Sequence, residues 1–154
     1  MHPILPTLLK EIEEDQPEAF LCASEMLRTY NFGARSGVIE PYASLYAAHP
    51  FGDDDLTALK NALTAYLSLG QGTNLSSAVH GLSQIPGDDL VGILRTLLAQ
   101  HLQTPKGQRE VVGQLVVSLN NHGEQVNSGL SYSYDAVEKN VADAQRYLRK
   151  VGFP

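Results

Sequence analysis

Apolar side chains recur at intervals of three and four residues along almost the whole chain, and this spacing constrains the fold more than any other feature. Ile4, Leu5, Leu8, Leu9 and Ile12 make one stripe, Phe20, Ala23, Leu27 and Tyr30 a second, and Leu56, Leu59, Leu63, Tyr66 and Leu67 a third. A period of 3.6 residues gathers such side chains on one face of a helix, whereas a half-buried strand alternates with a period of two. The β-branched residues are few and never alternate cleanly with polar ones. The spacing therefore predicts an all-α protein, a compact bundle or short stack of helical hairpins with about seven or eight helices.

Punctuation between the stripes agrees. Asp15-Gln-Pro-Glu18 reads as a capping box with proline in the first turn, opening a helix that Asn31-Phe-Gly33 stops. Pro41 starts a shorter helix carrying Tyr42, Leu45, Tyr46 and His49, which ends before Pro50. Gly52-Asp-Asp-Asp55 opens the third stripe and Gly70-Gln-Gly72 closes it. Leu75, Ala78, Val79 and Leu82 mark a short helix ended by Pro86-Gly87, and Asp88-Asp89 open one with Leu90, Leu94, Leu97, Leu98 and His101 in register. Thr104-Pro105 begins another through Val112, Leu115, Val116 and Leu119. Asp135 and Glu138 cap a last helix with Val137, Val141, Ala144, Leu148 and Val151, which Gly152 stops. GDDDLTALKNAL at residue 52 and PGDDLVGILRTL at residue 86 echo one another with Leu56 and Leu90 in equivalent places. That spacing suits stacked helical hairpins, although the small and aromatic positions of a tetratricopeptide repeat do not line up.

A chain of 154 residues suffices for one domain, expected here to span residues 1–154, with a core that needs no staples. Its one cysteine, Cys22, lies among Phe20, Leu21, Ala23 and Leu27 and reads as a buried, inert thiol. The start, MHPILPTLLKEIEED, lacks the basic region of a signal peptide, and no apolar run is long enough to span a bilayer, so a cytoplasmic chain with no membrane contact is expected. Seventeen acids against eleven bases give a net charge of −6. The bases are scattered, and the cluster Arg146, Arg149 and Lys150 suits the C-terminal end of a helix, so nucleic acid is not an expected partner. A basic protein fits the balance better.

Side chains suited to catalysis form no recognisable motif. The five histidines never pair at helical spacing, His122 and Glu124 would project about 200° apart on a helix, and no cysteine pair exists for zinc. No nucleophile elbow and no complete phosphate loop occurs; Gly70-Gln-Gly72-Thr73 lacks the lysine and the strand. Neither a metal nor another cofactor is expected, and capping explains most carboxylates.

Two segments suit binding instead. Five of the eleven aromatics, Tyr30, Phe32, Tyr42, Tyr46 and Phe51, fall within 22 residues, with Arg28 and Arg35 among them. Tyrosine with arginine is the composition of interface hot spots. The plainer alternative is that Tyr42 and Tyr46 pack on a neighbouring helix. The second segment, LNNHGEQVNSGLSYSYD at residues 119–135, looks like a catalytic cluster until it is continued as a helix from Val112. Leu115, Leu119, Gly123, Val126 and Leu130 then share one side, with Gly123 able to admit a close helix. Asn120, Asn121, Glu124, Gln125, Asn127 and Ser128 spread over the outside, His122 sits at the edge, and Tyr132 and Tyr134 lie in the following connector. A face of amides rather than charges suits a hydrogen-bonding contact.

The residues thus favour a non-catalytic helical module that binds another protein: an adaptor, a dedicated chaperone or an immunity-type inhibitor. Candidate contact residues are Tyr30, Arg35, Tyr42, Tyr46, Asn121, His122, Gln125, Tyr132 and Tyr134. The competing expectation is a small helical enzyme or ligand-binding domain whose pocket gathers Tyr30, Arg35, Tyr42, His122 and Tyr132; a self-assembling subunit is a third.

Overall fold

A computed structural model describes residues 2–33, 40–105, 109–127 and 137–153. Among them the protein is all-α, with eight helices and no strand: α1 (Leu5–Glu13), α2 (Pro17–Phe32), α3 (Tyr42–Ala48), α4 (Asp53–Leu69), α5 (Leu75–Ser83), α6 (Leu90–Leu102), α7 (Glu110–Asn121) and α8 (Val137–Lys150). The chain divides into two compact units, residues 1–86 and 87–154. No helix among the described residues is long and apolar enough to cross a membrane.

In the first unit α1 packs on α2 and α4, α5 packs on α2 and α4, and α3 lies on α2. The anticipated stripes supply the core: Leu5, Leu8 and Ile12 from α1, Phe20, Ala23 and Leu27 from α2, Leu59, Leu63 and Leu67 from α4, and Leu82 from α5. Burying each leucine-sized side chain contributes about 1.5–3 kcal/mol, so these faces dominate the stabilisation. Cys22 is buried too, its thiol donating to the Met26 sulfur at 3.6 Å.

Helices α1 and α2 form one hairpin, α4 and α5 another, and polar contacts at the helix ends lay one on the other in the same direction. At the start, the His2 backbone N–H donates to Asp55 at 2.7 Å, so α1 and α4 begin together. At the other end of those helices, Asp15 after α1 accepts from Tyr66 on α4 and from Thr73 and Asn74 beyond it. The far ends of α2 and α5 meet where Asn31 donates to the Gln84 carbonyl and Gln84 to Ser24, both at 2.8 Å. The stacked pair is therefore α1–α2 on α4–α5. The 34-residue echo instead relates α4 in one unit to α6 in the other, each with buried leucines behind an acidic helix start.

The second unit is a three-helix arrangement in which α6, α7 and α8 each pack on the other two. Leu90, Leu94, Leu97 and Leu98 face Val112, Leu115, Val116 and Leu119, with Val141, Ala144 and Leu148 closing the core. His101 is buried with them.

Three expected boundaries need correction. Helix α7 begins at Glu110, with Arg109 as its N-cap, and not at Thr104-Pro105. The N-cap of α2 is Gln16, not Asp15, and Gln16 makes no side-chain cap. Asp15 belongs to the end of α1, in the left-handed region at φ 60. There the Asp15 N–H bonds the Ile12 carbonyl and the Gln16 N–H bonds that of Glu11, the paired closure of a Schellman motif. Helix α7 stops at Asn121 rather than running on to residue 130. The same closure ends it: Gly123, at φ 87, donates to Asn120 and Glu124 donates to Leu119. Gly123 thus serves the backbone turn, and among the described residues a Cβ there would meet nothing within 4 Å, so no helix packs closely on it there. The expected cap at Asp135 lies outside the described residues.

Glycine is required for a different reason at residue 72, where an added Cβ would overlap the Tyr66 phenol. That ring cannot swing aside, because its hydroxyl donates to Asp15 and accepts the Asn74 N–H at 2.8 Å. Gly72→Ala is expected to cost about 1–3 kcal/mol by overpacking. Gly92→Ala, in α6 with open space around it, should instead stabilise by about 0.5–1 kcal/mol. Urea unfolding of both variants reads the difference, and equal effects would contradict the role given to Gly72.

Candidate functional site

Three polar clusters gather many of the chemistry-bearing side chains described, and one exposed surface carries others. The first cluster centres on Asp15, whose left-handed backbone turns its carboxylate toward the α4–α5 connection. Besides Tyr66 it accepts from the Thr73 N–H at 2.8 Å, the Thr73 hydroxyl at 2.9 Å and the Asn74 amide at 2.9 Å. Burial raises the Asp15 pKa, but these donors outweigh it and hold the carboxyl well below the usual carboxylate range. Tyr66 moves the other way, to about 12, through burial and its bond to Asp15.

The second cluster lies at the start of the same unit. Asp55, buried, accepts from the Gly52 N–H at 2.9 Å as well as from His2. Burial raises its pKa and the two backbone donors outweigh this, so it too is lowered. The buried His2 ring accepts the Ile4 N–H at Nδ1, sits 3.2 Å from the Leu45 carbonyl through Nε2, and meets His49 and Phe51 edge to face.

The third cluster joins the end of α7 to α8. Arg95, Glu124 and Tyr147 bond one another: Arg95 Nε donates to the Tyr147 hydroxyl at 2.7 Å, that hydroxyl donates to Glu124 at 2.6 Å, and the guanidinium pairs with Glu124. Hydrogen bonds from Tyr147 and Arg95 lower the Glu124 pKa. Beside them Asn120 accepts the Val126 N–H and donates to Asn127, whose amide reaches Asn140 and Asp143 at 3.3 Å. Asn140 and Asp143 are buried, and Arg146 donates to Asp143 at 2.6 Å. Asn120, Glu124 and Asn127, expected on the outside, therefore turn inward once α7 stops early.

The sequence-derived contact residues fall into two groups. Tyr30, Tyr42 and Tyr46 lie together in the first unit where α3 covers α2. Tyr42 is half-buried; burial raises its pKa, with Cys22, Glu18 and Glu25 on α2 adding to the effect. Tyr46 is likewise raised by burial, with Tyr30 adding, while the Phe51 N–H bond works against it; its ring stands edge to face on Phe51 at 5.3 Å. Tyr30 is more exposed. In the second unit Asn121, the C-cap His122 and Gln125 are all exposed. Arg35, Tyr132 and Tyr134 lie outside the described residues. The residues expected to line a pocket thus divide between the two units, with Tyr30 and Tyr42 in one and His122 in the other.

Sequence reasoning singled out Arg28 and Phe32 by composition but missed that they share the outer face of α2 with Leu21 and Glu25. Leu21, Glu25, Arg28 and Phe32 succeed one another at intervals of four, three and four residues, so they share a face. Leu21 keeps 44% of its surface exposed and Phe32 73%. The signal was Leu21 itself, which falls off the Phe20–Ala23–Leu27 stripe. Charge gathers in the same unit: residues 1–86 hold 10 of the 17 acids and 4 of the 11 bases, a formal −6, whereas residues 87–154 hold 7 of each. Among the described residues no group of three or more His, Cys, Asp or Glu is placed to hold a metal ion. Burial, with Glu11 adding, pushes the Cys22 thiol up to about 11, which disfavours the thiolate a nucleophile needs.

Titration tests the first cluster. Because folding depresses the Asp15 pKa, its contribution to stability is present above pH about 4 and is lost as pH falls through the folded value. Tyr66 is raised, so its contribution is present below pH about 10 and is lost as pH rises toward 12. Thermal unfolding across pH should show both limbs, and Tyr66→Phe should flatten the alkaline one; an unchanged alkaline limb would contradict the assignment. In the second unit, Asn127→Ala should lower stability by about 1–3 kcal/mol by removing its hydrogen bonds to Asn120 and to the buried Asn140 and Asp143. Asn121→Ala and Gln125→Ala should leave stability unchanged, and a loss equal to that of Asn127→Ala would show that their side chains are structural.

No protein-family model matches the chain, no curated protein matches it, and no solved structure matches its fold.

Proposed function

We propose that the chain is a non-catalytic helical module that binds another protein, with the exposed face of α2 and the adjoining α3 as its principal contact surface. The observation that carries this reading is the exposure of Leu21 and Phe32 on one helical face. Large apolar side chains presented in line with polar ones are how a helix offers anchors to a partner. Tyr30, Tyr42 and Tyr46 extend that surface with rings that bury area while keeping a polar tip. The carboxylates of Asp15, Asp55, Glu124 and Asp143 favour the same reading, since each accepts a bond that ties one segment of the fold to another. An adaptor, a dedicated chaperone and an inhibitor of a partner protein share this mode of action.

Site-specific photo-crosslinking in cells tests the proposal. A benzophenone side chain at position 32 should give a discrete crosslinked species that the same group at exposed Thr57 on α4 does not give. Leu21→Ser should abolish that species while leaving the melting temperature unchanged. No species from position 32, or equal species from both positions, would refute the proposed surface.

A further inference from the structure

The outer face of α2 also specifies the chemistry of its partner, an inference that rests on the contact surface proposed above. On α2, Glu18 and Glu25 flank Leu21, and Tyr42 of α3 lies close enough to both carboxylates for their charges to raise its pKa. Glu18 is exposed and Glu25 half-buried. One carboxylate oxygen of Glu25 is enclosed and accepts no hydrogen bond from the described residues. A buried acceptor without a donor is costly, and such an atom calls for a donor in the functional state.

We propose that this face docks a basic amphipathic segment of the partner protein. A lysine or arginine of that segment lies between Glu18 and Glu25 beside the Tyr42 ring, and an apolar side chain packs against Leu21. The cation supplies the donor that Glu25 lacks; the soft terminal torsion of glutamate lets the carboxylate turn to meet it. Tyr42 adds a cation–π contact with the arriving charge. Arg28 lies beyond Glu25 on the same face and is exposed. It repels a second cation there and so confines the basic part of the partner to the N-terminal half of α2, leaving Phe32 for an apolar residue. The net charge of −6 carried by this unit steers such a segment toward it, whereas the uncharged balance of the second unit does not.

The test uses the full chain and a fluorescein-labelled peptide of lysine and leucine at helical spacing, with its glutamate-for-lysine counterpart as control, followed by anisotropy. The basic peptide should bind and the acidic one should not. Glu18→Gln with Glu25→Gln should weaken binding about tenfold. Glu13→Gln with Glu14→Gln on α1, which removes the same charge from elsewhere in the unit, should weaken it less than about twofold. Equal losses from the two pairs would reduce the effect to general attraction and overturn the proposal, as would binding of the acidic peptide. The photo-crosslinked species from position 32 separates the two readings. If it persists undiminished in the Glu18→Gln/Glu25→Gln variant, the basic-segment assignment falls while the binding surface stands; if it never forms, the surface itself falls.

Discussion

The carboxylate of Asp15 holds the first unit together in a way that its apolar faces alone do not. Leucine stripes on α1, α2, α4 and α5 would pack in several registers, because burial is non-directional. Asp15 removes that freedom. Its backbone stands in the left-handed region, at a cost of roughly 1–2 kcal/mol for an L-residue, and its oxygens gather donors from residues 51 to 59 positions away. The His2–Asp55 bond at the other end of the same helices and the Asn31–Gln84–Ser24 chain between α2 and α5 complete the constraint. Hydrophobic area supplies the stability of the stack, and these directional contacts choose its register.

The same logic explains why so many polar side chains are engaged internally. In the second unit the early stop of α7 turns Asn120, Glu124 and Asn127 toward α8, where Asn140, Asp143 and Tyr147 receive them. A buried amide or carboxylate must find partners within the fold, and a connected set specifies one arrangement of helices. The proposed contact surface is the outer face of α2 with α3, where Leu21 and Phe32 stand exposed and a Glu25 oxygen is left without a donor among the described residues. The proposed partner is placed on this surface because the clusters have an architectural task, whereas the outward face of α2 exposes Leu21 and Phe32.

Much of the fold was legible in sequence because its signals are local. The leucine spacing located the helices, Pro41, Gly52 and Asp89 marked the starts of α3, α4 and α6, and the setting of Cys22 foretold its burial, whereas Thr104-Pro105 lies ahead of the true start of α7 at Glu110. Gly152 stopped α8 as expected, with the Phe153 N–H returning to the Leu148 carbonyl. Asp15 was misread for the opposite reason: an aspartate before Gln-Pro looks like a helix cap, and nothing nearby reveals donors more than 50 residues away. Residues 120–127 failed through a single turn. Projected as a continuous helix they place amides outside, but one left-handed glycine reverses the chain and sends them inside. The tyrosine-rich segment was found by composition; which of its side chains meet on α2 depends on how α3 folds back, which no local pattern encodes.

Amide hydrogen exchange resolved at Thr73 and Asn74 tests the account most directly. Both residues lie in the connection between α4 and α5, where an ordinary loop would exchange at close to the rate of an unfolded chain. If Asp15 and Tyr66 fix the register of the stacked hairpins, these two N–H groups, donating to Asp15 and to the Tyr66 hydroxyl, should exchange as slowly as the amides of Leu63 and Leu67 in the core of α4. Asp15→Ala should release them together. Rapid exchange in the unaltered protein would contradict the constraint on which the stack, and the outward face of α2 that it presents, depends.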